Sequence, residues 1–201
     1  MNFLAHAYLS FNDPGVLTGN MISDFVKGKK KLDYPLEIQR GITLHRLIDA
    51  YTDDHPVTKV AKEPFRPAYR LYSGAFVDVI YDHFLANDTT EFPGDALAAF
   101  SQQTYATLRE YSNWQPPPFG EMFPYMQQHD WLYNYRTRPG IAKSLHGVVR
   151  RSLYLSESDT AMQLLETHYQ LLQDCYRQFW KDIKLYALEQ YTLLKESDGN
   201  N

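Results

Sequence analysis

Apolar residues recur at helical spacing along most of the chain, and no stretch sustains the polar–apolar alternation typical of a half-buried strand. The spacing is clear in the last predicted helix, where one face carries Leu165, Leu172, Tyr176, Phe179 and Ile183. Glycine and proline separate the periodic segments. We therefore predict an all-α, single-domain helical bundle at residues 1–195, followed by a disordered tail at 196–201.

The predicted helix boundaries follow from this periodicity and from the residues that usually begin and end helices. Helices are predicted at residues 2–10, 16–26, 35–54, 71–85, 93–111, 119–133, 141–153 and 159–194. Further prolines make the helical segment that starts at Pro56 irregular. Pro116, Pro117 and Pro118 predict a stiff connector between two helices.

Polar side chains occupy positions in the predicted helices where the apolar stripe should continue. Along one face of the helix at 35–54, at spacings of four and three residues, lie Ile38, Ile42, His45, Asp49 and Thr52. The helix at 16–26 likewise places Asn20 and Asp24 on its apolar face. This repeated substitution of polar for apolar residues indicates a buried polar site.

The helix at 71–85 carries two carboxylates, Asp78 and Asp82, in an otherwise apolar sequence. A helix that is apolar nearly all round is buried, and an ionised carboxylate buried without a partner costs several kcal/mol. A divalent cation would supply the missing charge. An alternative is a structural network in which these carboxylates pair with arginines such as Arg46 or Arg70.

Histidine and carboxylate ligands without thiolates suit Mn, Fe, Mg or Zn in a site with open positions. His45 and Asp49 are four residues apart and point the same way, so they can bind one ion. His6, in the apolar stretch near the start of the chain, is a further candidate ligand. His83 directly follows Asp82 and points about 100° away from it, so it is either a ligand at the edge or a packed histidine.

Composition narrows the class of protein. The chain has 201 residues, a formal net charge of −4 and a single cysteine, Cys175, so a Cys-rich zinc site and an intrachain disulfide are excluded. The net negative charge argues against general nucleic-acid binding. We see no signal peptide and no apolar run that could insert into a membrane, and we expect a cytoplasmic protein.

The first 85 residues contain several short motifs in a fixed order. They are Asn2-Phe3-Leu4-Ala5-His6, Gly19-Asn20, Asp24-Phe25, Lys27-Gly28, His45-Arg46, Ile48-Asp49, Thr52-Asp53, Asp78 and Tyr81-Asp82-His83-Phe84-Leu85. Together they resemble the acyl carrier protein phosphodiesterase family, and Trp131-Leu132 and Tyr135-Arg136 resemble a later block. The resemblance implies a divergent HD-type fold in which the adjacent pair is reversed, Asp82-His83.

The resemblance also implies a reaction: hydrolysis of the phosphodiester that links phosphopantetheine to a serine of holo acyl carrier protein, with a divalent metal, most often Mn²⁺, although Mg²⁺ or Fe²⁺ would also suit. For this chemistry we expect the metal ligands to be drawn from His6, Asp24, His45, Asp49, Asp78, Asp82 and His83. His6 and Asp24 would also be catalytic. Lys27 and Arg46 are candidates to neutralise the phosphate oxygens, because they stand next to proposed ligands in the sequence.

Basic clusters on this mildly acidic chain predict a docking surface for the acidic carrier protein. The residues are Lys27, Lys29, Lys30, Lys31, Arg136 and Arg138. Two other interpretations stay open: an HD-type hydrolase of a nucleotide or another small phosphate ester, and a non-enzymatic helical binding protein. Metal analysis and substrate choice discriminate among the three.

Overall fold

The computed structural model describes residues 1–196, and its regular elements in that range are all helical. The α-helices are α1 (Phe3–Tyr8), α2 (Pro14–Ile22), α3 (Leu36–Asp54), α4 (Pro56–Lys62), α5 (Arg66–Tyr69), α6 (Ser73–Ala86), α7 (Ala96–Glu110), α8 (Pro117–Gln128), α9 (Trp131–Asn134), α10 (Arg138–Arg151), α11 (Asp159–Thr167) and α12 (Tyr169–Glu196). Short 3₁₀ turns occupy Ser23–Phe25, Gly28–Asp33, Glu63–Phe65, Arg70–Tyr72 and Ser112–Trp114. The predicted all-α class is confirmed.

Three predicted elements differ from the observed ones. The helix predicted at 119–133 ends at Gln128 as α8 and is followed by the separate short helix α9 from Trp131. Pro117 and Pro118 begin α8 instead of forming a connector, because the first turn of a helix does not need their missing N–H groups. The predicted long last helix is divided at His168 into α11 and α12. Its apolar spacing did not reveal the break because Leu165 and Leu172, on either side of it, are both buried.

The predicted tail at 196–201 lies outside the described residues except for Glu196, which ends α12. Within residues 1–196, no helix is both long and apolar enough to cross a bilayer. Side-chain caps fix the starts of α1 and α2. Asn2 caps α1 through Phe3 N–H, and Asp13 caps α2 through Val16 N–H.

Helices α2 and α3 cross in direct backbone contact at two glycines. A Cβ atom on Gly19 would lie 2.1 Å from Ile38 O, and one on Gly41 would lie 2.2 Å from Val16 O. Neither position therefore accepts a side chain. This close approach brings the middle of α3, which carries His45, against the end of α2, which carries Asn20.

Candidate metal centre

Two buried histidines from different helices stack on each other at the crossing of α1, α2 and α3. The ring centroids of His6 and His45 are 3.9 Å apart and the rings are inclined by 15°. With Asp49 they form a group whose potential ligand atoms all lie within 4.8 Å of one another. The structure thus brings together three of the predicted ligands as a possible metal-binding site.

Asn20 orients both imidazoles. Its side-chain N–H₂ donates to His6 O at 2.9 Å and to Ser10 Oγ at 3.1 Å, which leaves its Oδ1 to accept from His6 Nδ1 at 2.8 Å. The main-chain oxygen of the same residue accepts from His45 Nδ1, also at 2.8 Å. Metal-binding histidines usually donate their second ring N–H in this way, so that the other nitrogen is free to coordinate.

The two Nε2 atoms converge on the Asp49 carboxylate. His6 Nε2 lies 3.2 Å from Oδ1, and His45 Nε2 lies 3.0 Å from Oδ2. Ligands at right angles around an ion, with bonds of about 2.1 Å, are about 3 Å apart. The separations and the nitrogen–oxygen donor set therefore fit one divalent ion with further positions open.

The pKa values of the two histidines are shifted in opposite directions. Burial, with the neighbouring His45, lowers the pKa of His6 to about 4. Burial also lowers the pKa of His45, but hydrogen bonds to Asp24 and Asp49 outweigh it and raise the value to about 9. Without a metal, His45 thus carries the proton that balances the carboxylates. A divalent ion would supply that positive charge in its place.

Asp24 and Asp78 lie on either side of this group. Asp24, with a side chain 69% exposed, places Oδ1 3.1 Å from His45 Nε2, and this hydrogen bond lowers its pKa. Asp78 Oδ1 is 3.0 Å from the Met1 amine, which is itself 3.4 Å from Asp49 Oδ1. Burial lowers the pKa of this amine, but the carboxylates outweigh burial and raise it to about 10. The amine thus joins Asp78 to Asp49.

The geometry does not support Asp82 and His83 as metal ligands. The Asp82 carboxylate is wholly buried and accepts hydrogen bonds from the backbone N–H groups of Asn2, Leu4 and Ala5, at 3.4, 2.7 and 3.2 Å. Its oxygens satisfy the unpaired N–H groups at the start of α1. His83 Nδ1 donates instead to Tyr135 O at 2.7 Å.

The predicted basic residues differ in their surroundings. Arg46 is exposed and donates through Nη2 to Val26 O at 2.8 Å, beside Asp24 in the chain. Lys27, Lys29 and Lys30 are also exposed, whereas Lys31 is half-buried and donates to Thr43 Oγ1 at 3.2 Å. The lysines lie between α2 and α3 in the chain, and Arg46 lies in α3 directly after His45.

Arg136 and Arg138 are engaged within the protein. The Arg136 guanidinium lies 4.3 Å from the centre of the Tyr133 ring. Arg138 forms an ion pair with Glu166 at 2.6 Å and lies over the Tyr169 ring. Intramolecular partners make both less available to a docking protein than the lysines are.

Asn20 was not predicted to be a determinant of the site. The signal was present, because an amide on the apolar face of α2 must have buried partners. The spacing could not show that Asn20 binds two histidines, because it binds one of them, His45, through its main-chain oxygen.

Comparisons with known proteins find relatives over almost the whole chain. Residues 1–183 match the model of the family described as acyl carrier protein phosphodiesterase. The relative from Enterobacter sp. (strain 638) that carries that name is 34% identical over 188 residues, 93% of this chain and 97% of the relative. That from Yersinia pestis is 35% identical over 181 residues, covering 90% and 94% of the two chains.

A third relative of the same name, from Klebsiella pneumoniae (strain 342), is 35% identical over 185 residues, covering 90% of this chain and 93% of its own. No solved structure matches the chain. Because the family model matches residues 1–183 and these relatives each cover at least 90% of the chain, the chain belongs to the acyl carrier protein phosphodiesterase family.

Proposed function

We propose that this protein is a metal-dependent phosphodiesterase that hydrolyses holo acyl carrier protein to apo acyl carrier protein and 4′-phosphopantetheine. The observation that carries the proposal is the pair of stacked histidines whose Nδ1 atoms are both tied to Asn20 and whose Nε2 atoms both face Asp49. As a purely structural network this arrangement would be unfavourable, because two stacked imidazole rings and the carboxylates lie close together. A bound cation would make the same arrangement favourable.

In this proposal His6, His45 and Asp49 hold a divalent metal, and Mn²⁺ is the ion we expect. A metal there supplies Lewis-acid activation of the phosphodiester and of the attacking water. Asp24 is exposed and places Oδ1 3.1 Å from His45 Nε2, so its carboxylate would lie next to a metal held there and is placed to accept a proton from water.

The cations at the edge of the site would bind the phosphate. Arg46, exposed and anchored to Val26 O, and Lys27 are the groups that would neutralise the non-bridging oxygens. Asp78 acts through the Met1 amine, which it holds beside Asp49. We therefore assign Asp78 a positioning role in place of direct coordination.

The carrier protein is the proposed partner because relatives of this chain are named for it. The exposed lysines Lys27, Lys29 and Lys30 adjoin Asp24 and are placed to attract an acidic protein surface. Association through them should weaken with salt, because exposed charges are screened. A cytoplasmic location, where such a partner is made, stays a prediction.

The test is the mass of purified holo acyl carrier protein after incubation with the enzyme and Mn²⁺, with and without chelator. We expect a mass loss equal to phosphopantetheine that the chelator prevents and that Asp49→Asn abolishes. The matched control is Asp182→Asn, which alters the contact of Asp182 with His55 and leaves His6, His45 and Asp49 unchanged. Absence of any mass loss from folded, metal-supplied enzyme contradicts the proposal.

A further inference from the structure

A large groove runs beside the candidate metal centre. It has a volume of about 720 Å³ and lies between the α8–α9 segment and α10, and its lining includes Asn2 and Phe3 at the start of α1. Pockets for small molecules usually measure about 300–1,000 Å³. We call this space the α10 groove.

One face of α10 packs into the core and the other lines the groove. Ile141, Leu145, Val148 and Val149 are buried. The groove face carries residues at helical spacing from Gly140 to Arg151, a length of about 16 Å at the rise of an α-helix. An elongated ligand therefore suits this space better than a compact one.

Gly147 enlarges the α10 groove because it has no side chain. It lies inside α10, where glycine costs about 1 kcal/mol relative to alanine, and a Cβ there would meet no atom within 4 Å. No packing constraint in the described chain therefore requires glycine at this position. A ligand that lies close to the helix backbone would require it.

The cations of the groove lack carboxylate partners. No ion pair within residues 1–196 involves Lys143, Arg150 or Arg151, in contrast to Arg138, which pairs with Glu166. The one carboxylate of the lining, Asp130, already accepts hydrogen bonds from Tyr133 N–H and Gln102. The groove therefore presents hydrogen-bond donors that await acceptor atoms.

The groove adjoins the metal centre through three consecutive residues. Phe3 and Asn2 form part of its wall, with the Phe3 ring 6.5 Å from that of Trp131, and the preceding Met1 amine lies 3.4 Å from Asp49 Oδ1. Adjacent Cα atoms are about 3.8 Å apart, so the groove begins within about 10 Å of Asp49. A single substrate can reach both.

We propose that the α10 groove binds the pantetheine part of the phosphopantetheine arm while the phosphodiester lies at the metal centre; this assignment rests on the proposed function. Pantetheine is a flexible chain whose amide and hydroxyl oxygens accept hydrogen bonds. Lys143, Arg150 and Arg151 supply donors for these oxygens. The side chains of Phe3 and Trp131 supply apolar contact for its aliphatic carbons.

The experiment measures pantetheine binding to the full-length protein by calorimetry in the presence of chelator. Gly147→Trp fills the groove without touching the core and should weaken binding at least about tenfold. Gly120→Trp is the matched control: Gly120 lies in α8 outside the groove, and its nearest neighbour would be 3.9 Å away, so binding should change by less than about twofold.

If Gly147→Trp is unfolded by circular dichroism, the double variant Lys143→Ala/Arg151→Ala replaces it, with a loss of about fivefold or more expected. Equal binding by wild type and the groove variants, or no binding by wild type, overturns the assignment. The two proposals fail separately. Pantetheine binding without hydrolysis keeps the groove and removes the phosphodiesterase, whereas hydrolysis that Gly147→Trp leaves intact removes the groove alone.

Discussion

Asn20 contributes more to the candidate centre than its size suggests. A single amide residue fixes the tautomer of two histidines, one through its side chain and one through its main chain. The main-chain contact survives any substitution, but the side-chain contact does not. Asn20 is therefore a positioning residue whose loss should act first on His6.

Replacing Asn20 by Leu should lower the affinity for Mn²⁺ by about 10- to 100-fold, because His6 loses the acceptor that holds Nδ1–H and faces Nε2 toward Asp49. Isothermal titration with Mn²⁺ measures this. Asn87→Leu serves as the control, because Asn87 bonds the main-chain oxygens of His83 and Arg136 away from the centre. Unchanged affinity in Asn20→Leu would show that Asn20 has no part in metal binding.

Asp82 was predicted to be a metal ligand, but in the structure its carboxylate stabilises the start of α1. Replacing it by Ala leaves three backbone N–H groups of α1 without their acceptor and should cost about 3 kcal/mol of unfolding free energy. Denaturant unfolding gives that value. Mn²⁺ affinity of the folded Asp82→Ala protein should stay near wild type, and a complete loss of binding would return Asp82 to the ligand set.

At the scale of elements, the glycine crossing of α2 and α3 positions the site. Gly19 and Gly41 allow the two backbones to touch, and this contact places Asn20 O within reach of His45 Nδ1. Any side chain at the crossing must push the helices apart. The cost therefore appears in both stability and metal binding.

Gly41→Ala should destabilise the protein by about 3 kcal/mol, since its Cβ would lie 2.2 Å from Val16 O and the backbone cannot yield cheaply. Urea unfolding checks the value. Gly147→Ala provides the contrast, because its Cβ meets nothing and alanine favours a helix interior by about 1 kcal/mol. Equal stabilities of the two variants would contradict the close crossing.

The sequence predicted the helices far better than the site, and the reasons are physical. Helical periodicity is local, so α3, α6 and α10 were placed to within a few residues. The break at His168 was missed because buried residues continue on both sides of it. Spacing within α3 paired His45 with Asp49 correctly, since that relation is also local.

Relations between helices were harder to predict. Asp82 and His83 share the apolar surroundings of a ligand, and only the position of the start of α1 shows that Asp82 instead binds its N–H groups. The sequence did not predict the α10 groove either, because its lining residues, such as Asn2 and Gly147, are distant in sequence. Charge clustering alone also could not show that Arg138 is paired with Glu166.

At the scale of the whole molecule, ion pairs connect α12 to earlier parts of the chain. Lys184 contacts both oxygens of Glu91 at 2.7 and 2.9 Å, and Tyr8 of α1 donates to the same carboxylate. Lys195 reaches Asp13, before α2, at 2.9 Å. These contacts hold the segment that carries His6 against the rest of the bundle.

Glu91 should make stability depend on pH. Burial raises its pKa, but the hydrogen bonds from Lys184 and Tyr8 outweigh burial and bring the pKa below the ordinary 4.5. A depressed pKa stabilises the fold above pH 4.5, and that stability is lost as the pH falls through the folded value. Thermal melts should show Glu91→Gln less stable than wild type at pH 7, with the gap closing in acid. A gap independent of pH would contradict the ion pair.

The central claim is that His6, His45 and Asp49 hold one divalent metal, and electron paramagnetic resonance of Mn²⁺ titrated into the purified protein tests it most directly. We expect one tightly bound ion in the wild type and in His55→Asn, which alters a histidine that pairs with Asp182 and lies outside the His6, His45 and Asp49 group. His45→Asn and Asp49→Asn, both folded, should leave the Mn²⁺ free in solution. Stoichiometric binding that persists in these two variants would contradict the assignment.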